Sequence, residues 1–90
     1  MSSAEIFGAV RSLINRYDPE ELLDIAPEDE YDPEVRDLVG LVWSEREISA
    51  GVIAQVWLAR FGASDWPGER PADLAEVAEE LRAIRAAARS

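Results

Sequence analysis

The chain is predicted to be all-α: a compact bundle of four main helices and one short helix, in a single domain over residues 1–90. Three observations carry this. Apolar residues recur at steps of three and four in four separate windows. No segment sustains the two-residue alternation of β-branched side chains that a half-buried strand needs. The windows also open at Ser2, Asp32, Ser49 and Pro71, residue types that start helices.

The first helix is expected over about 3–16. Ile6, Val10, Leu13, Ile14 and Tyr17 form its apolar stripe, and Ser2 with Glu5 supplies a capping box. The tetrapeptide YDPE then occurs at Tyr17–Glu20 and again at Tyr31–Glu34. In each copy the aspartate is a good N-cap, the proline suits the first helical position, and the glutamate favours the helix dipole. Asp18 and Pro19 therefore predict a short helix over about 19–25, with Leu22, Leu23 and Ile25 reaching the core. Asp32 and Pro33 predict a longer one over about 33–46, burying Val35, Leu38, Val39, Val42 and Trp43. The flanking residues are not self-similar, so two caps fourteen residues apart do not make a solenoid.

The next helix is expected over about 50–61, closed by Gly62. Its stripe is Val52, Ile53, Val56, Trp57 and Phe61. VIAQVWLARF is apolar nearly all round, which predicts a central helix or, if it is incompletely covered, a homodimer interface. GASDWPGERP follows as a turn-rich connection. The last helix, about 71–87, carries Leu74, Val77, Ala78, Leu81 and Ile84, and its RAAARS tail is expected to fray.

Charge is unevenly placed. Residues 18–47 hold twelve acids and two bases, Arg36 and Arg46, while the remainder holds seven of each, so the whole excess of −10 lies in one third of the chain. Such a surface repels nucleic-acid phosphates and anionic membranes and attracts basic proteins. All nine bases are arginine, which reads as composition rather than mechanism. No apolar run approaches the ~20 residues of a membrane span. The N-terminus lacks the basic and apolar regions of a signal peptide, which points to the cytoplasm.

From Tyr17 to Val35 the chain resembles the YugE-like family of small bacterial helical proteins. The matching residues are Tyr17, Asp18 and Pro19, then Ala26, Pro27, Asp29, Glu30 and Tyr31 in APEDEYDPEV; Phe61–Gly62 is also consistent. The family's first motif carries tryptophan where this chain has Tyr17. The resemblance implies an all-helical fold. It implies no activity and no catalytic residue, because the family is a domain of unknown function.

Missing residue types narrow the chemistry. Without His or Cys there is no Ser–His or Cys–His nucleophile pair and no imidazole or thiolate metal site. Without Lys there is no Schiff base and no phosphate-loop lysine. Carboxylate hydrolysis remains, but a bundle of this size offers little room for the cleft. Asp29, Glu30, Asp32 and Glu34 offer oxygen ligands, yet EF-hand registers starting at Asp24 or Glu28 put Asp29 or Pro33 where glycine is required. The expectation is a non-enzymatic protein with no catalytic residue, no metal and no cofactor.

The expected function is an acidic binding protein, of the immunity-protein or inhibitor type, that engages a basic protein partner. Asp24, Glu28, Asp29, Glu30 and Glu34 supply charge, while Tyr31 and Trp66 are candidate aromatic anchors. Each anchor has a structural alternative: Tyr31 as a residue stapled against the following helix, Trp66 as a lid over the core. The alternative function is a structural or housekeeping protein whose acids only cap helices and confer solubility.

Overall fold

The computed structural model describes residues 1–89; Ser90, the last residue of the expected domain and tail, lies outside the described residues. Five helices follow in order: α1 (Ser3–Tyr17), α2 (Asp32–Trp43), α3 (Ala50–Phe61), α4 (Trp66–Glu69) and α5 (Pro71–Arg89). There is no strand among the described residues. The fold is the expected compact all-α bundle.

The capping box opens α1 as predicted: Glu5 N–H donates to Ser2 Oγ, and Ser2 N–H donates to Glu5 Oε1, both at 3.1 Å. The Ser2 contacts hold the Glu5 carboxyl below the usual glutamate range. Ser49 caps α3 by accepting from Val52 N–H at 3.2 Å. Gly62 closes α3 at φ +71°, a left-handed conformation that a Cβ would strain.

One core lies where the four long helices meet. It contains Ile6, Val10, Leu13 and Ile14 of α1; Val35, Leu38, Leu41 and Val42 of α2; Ile53 and Trp57 of α3; and Leu74, Val77, Ala78 and Leu81 of α5. Tyr31, Ile48 and Trp66 join it from outside the long helices. Trp57 is the hub: its ring stacks on Phe61 at 5.1 Å, meets Trp66 edge-on at 4.8 Å, and tilts against Tyr31 at 5.7 Å.

Several expectations are corrected. The helix over 19–25 does not form; the segment is a chain of turns. Asp18 does not open a helix but closes α1, in the left-handed region at φ 45°, with its N–H donating to Ile14 O. Asp32 is likewise no N-cap. It is the first residue of α2, preceded by Tyr31, which makes no side-chain cap. Its carboxylate is drawn instead to the Arg11 guanidinium of α1, so Pro33 falls second rather than first in the helix.

Ile25 stands 85 % exposed rather than in the core, and Trp43 is 48 % exposed because α2 ends there, not at Arg46. Val39 is only half-buried, whereas Leu41 and Ile48 are core residues outside the expected stripe. Within the turn-rich connection Trp66–Glu69 forms a helical turn. The alanine-rich tail is helical through Arg89 because Arg85 and Arg89 tie it to the end of α2.

Candidate functional site

The acidic segment connects α1 to α2, and Asp18 organises it. Helix α1 can end in a left-handed residue because aspartate tolerates that conformation better than most. The turn aims the Asp18 carboxylate into the connection rather than along a helix. There Oδ1 accepts from Leu22 N–H at 3.0 Å, from Leu23 N–H at 3.4 Å and from the Tyr31 hydroxyl at 2.6 Å. The Tyr31 hydroxyl in turn accepts from Glu20 N–H at 2.9 Å. The two YDPE copies are thus joined, aspartate of the first to tyrosine of the second. Burial, and then the bond to Asp18, push the Tyr31 phenol well above its ordinary value.

The acids of the segment divide into two sets. The first is engaged inside the fold. Asp18 holds the connection. Glu20 Oε2 accepts from the Ser64 hydroxyl at 3.1 Å. Asp32 accepts from Arg11 Nε at 2.9 Å in a two-pronged pair, which holds its carboxyl below the usual aspartate range. Glu34 is buried.

The second set comprises Glu21, Asp24, Glu28, Asp29 and Glu30, all exposed. Among the described residues none of these five forms a salt bridge. Ile25 projects from the middle of this set. The backbone beneath is tied down: Asn15 Nδ2 donates to Glu28 O at 2.9 Å, and the 27–32 turns carry Glu30 N–H to Pro27 O and Asp32 N–H to Asp29 O. The charges therefore sit on an ordered scaffold.

Of the seven residues expected to face a partner, Asp24, Glu28, Asp29 and Glu30 are exposed along the connection. Tyr31, Glu34 and Trp66 are not. Tyr31 is fully buried against Trp57, and Trp66 lies over the core with its indole N–H donating to Asp73 at 3.1 Å. Trp66 follows its structural alternative as a lid, whereas Tyr31 directly precedes α2 and packs fully buried on Trp57 of α3 rather than half-buried ahead of an Asp32 cap. The apolar residue of the face is Ile25, assigned to the core because a helical register would have carried it inward. Glu21, at φ 55°, also belongs to the face.

Beside the segment an open cleft of about 410 Å³ lies between the start of the connection and α4. Its walls carry Glu20, Glu21, Asp65, Glu69 and Arg70. Arg70 is paired with Asp73 at 2.6 Å and donates to Tyr17 O at 2.9 Å. Glu34, whose carboxyl burial pushes up, is not part of this lining. A second opening, about 380 Å³, lies between Tyr17 and Glu76, Glu79 and Glu80 of α5. The Tyr17 hydroxyl donates to Glu76 at 2.7 Å, which pushes the phenol up to about 12.

Among the described residues no group of three or more acids is arranged to hold a metal ion, and no helix is long and apolar enough to cross a membrane. Comparison with protein-family models, with curated proteins and with solved structures returns no match to this chain.

Proposed function

We propose that the chain is a non-enzymatic binding protein whose acidic face, residues 21–30, engages a basic surface on a protein partner, in the manner of a neutralising immunity protein or inhibitor. One observation carries the reading: five exposed carboxylates that form no salt bridge among the described residues share the connection with an exposed isoleucine. Unpaired like charges held on ordered backbone repel one another, and an external cationic surface relieves that repulsion. Ile25 supplies the apolar contact that charge alone lacks.

The resemblance to the YugE-like family is compatible with this reading and adds no activity to it. The cytoplasm is the proposed location. Homodimerisation through α3, where Leu58 is exposed, remains a separate proposal.

The test is retention of partners by the tagged protein at low and high salt, with wild type beside the triple reversal Glu28→Arg, Asp29→Arg, Glu30→Arg. A stoichiometric basic partner, released by salt and lost in the triple variant, is expected. The reversed side chains make no hydrogen bond or salt bridge within the described residues, so circular dichroism should be unchanged. Equal retention by wild type and variant would sink the reading and favour acids that serve capping and solubility only.

A further inference from the structure

Glu34 stands apart from every other carboxylate of the acidic segment. The residue is 7 % exposed, and its Oε2 is buried without a hydrogen-bond partner. Position accounts for part of this. Tyr31 precedes α2 and offers no side-chain cap; Asp29 O takes the Asp32 N–H and Tyr31 O the Val35 N–H, which leaves the Glu34 N–H to its own side chain. Glu34 turns back on its own backbone N–H. That contact does not serve Oε2.

The charged groups around it do not compensate. Arg60 of α3 is the nearby cation, but its guanidinium is forked onto Asp37, at 2.8 and 3.1 Å. Asp37 of α2 and Glu30 of the preceding connection both repel a charge on Glu34. Arg11, the cation of α1 nearest the start of α2, is committed to Asp32. A buried carboxylate with no ion pair and an unsatisfied oxygen is costly in its charged form and much less so as the neutral acid.

We propose that Glu34 is a proton-linked brace where α2 meets α3: the protonated acid is the form that the closed fold accepts, and ionisation loosens the start of α2. Burial, the dominant influence, raises the proton affinity of Glu34 above that of an ordinary glutamate, while the field of Arg60 offsets only part of it. The folded chain therefore binds this proton more tightly than the unfolded chain does. The stabilisation is fully present below the unfolded-state pKa and is lost as pH rises through the folded-state value. Because the acidic connection runs directly into α2, its anchorage is strongest in mildly acidic solution. The inference does not depend on a basic partner.

The experiment is urea unfolding of wild type, Glu34→Gln and the exposed control Glu79→Gln across pH 4.5–8, with the Glu34 side-chain carboxyl of wild type titrated by NMR. At pH 7 the unfolding constant of Glu34→Gln should be roughly three- to tenfold smaller than that of wild type, converging near pH 4.5, while the control shows no such pH-dependent gap. A Glu34→Gln variant equal to or less stable than wild type at pH 7, or a gap independent of pH, would overturn the proposal. If that variant does not fold, the titration decides alone: a carboxyl pKa above the ordinary glutamate value upholds the brace, and one at or below it overturns it.

Discussion

Asp18 and Tyr31 hold the connection between α1 and α2 with two side chains. Three donors converge on one Asp18 oxygen, and the Tyr31 ring fills the core beside Trp57. Asp18→Ala should destabilise the fold by about 3 kcal/mol, because it removes charge-assisted bonds from partly buried groups. Asp18→Asn keeps an oxygen and tolerates the left-handed backbone, so its cost should be smaller. Tyr31→Phe retains the ring and loses the hydroxyl, for about 1–2 kcal/mol. Urea midpoints of the three variants check this order. Trp57 offers a sharper contrast, since its buried Nε1 has no acceptor. Trp57→Ala should cost about 3–5 kcal/mol through the cavity it leaves. Trp57→Phe should cost less, because it discards an unsatisfied N–H along with part of the ring.

Arginines of α5 complete the end of α2. That helix has no basic residue in its last turn, so its terminal carbonyls need donors from elsewhere. Arg85 donates to Leu41 O at 2.7 Å and Val42 O at 3.1 Å, Arg89 to Ser44 O at 3.1 Å, and Arg82 to Ile48 O at 2.7 Å. Spacings of three and four put all three on one face of α5. With the forks of Arg11 on Asp32 and Arg60 on Asp37, they give the arginine-only basic set a structural use that composition alone did not suggest. Arg85→Met should lower stability by about 1–2 kcal/mol. Arg85→Lys should recover only part of it, because one ammonium does not span two carbonyls as a planar fork does. Thermal unfolding of the pair reads the difference.

Over the whole molecule, opposed proton linkages and a net charge of −10 shape the stability profile. Asp32 is held below the ordinary aspartate range by Arg11, so its contribution is present above the unfolded-state pKa and lost as pH falls through the folded-state one. Glu34 acts in the opposite sense. Protonation also relieves the mutual repulsion of the acidic face. Stability should therefore peak on the acid side of neutrality, then fall once Asp32 protonates, as a pH series of urea midpoints would show. At pH 7, raising NaCl from about 0.02 to 0.5 M should increase the midpoint, because repulsion among unpaired carboxylates is screened more than the few exposed ion pairs are weakened. A midpoint that falls with salt would assign the surface charge a net stabilising role.

The sequence by itself determined the fold class, the four long helices and most of the core. Helical periodicity and local caps such as Ser2, Ser49 and Gly62 depend on neighbours within a turn or two, and so are legible in one dimension. It also located the exposed acids Asp24, Glu28, Asp29 and Glu30, because charge density needs no coordinates. The tertiary structure alone decided the use of each YDPE copy. In isolation Asp18 and Asp32 carry the same capping signal, yet one is bound by Tyr31 and the other by Arg11, partners thirteen and twenty-one residues away. At Asp18 the distant phenol joins two local backbone N–H groups on one oxygen, and at Asp32 the distant guanidinium takes the carboxylate; such charge-assisted bonds are strong, and a short helix over 19–25 has little apolar face to bury. With the helix over 19–25 absent, Ile25 turned outward among the exposed acids of the connection, although periodicity had placed it in the core.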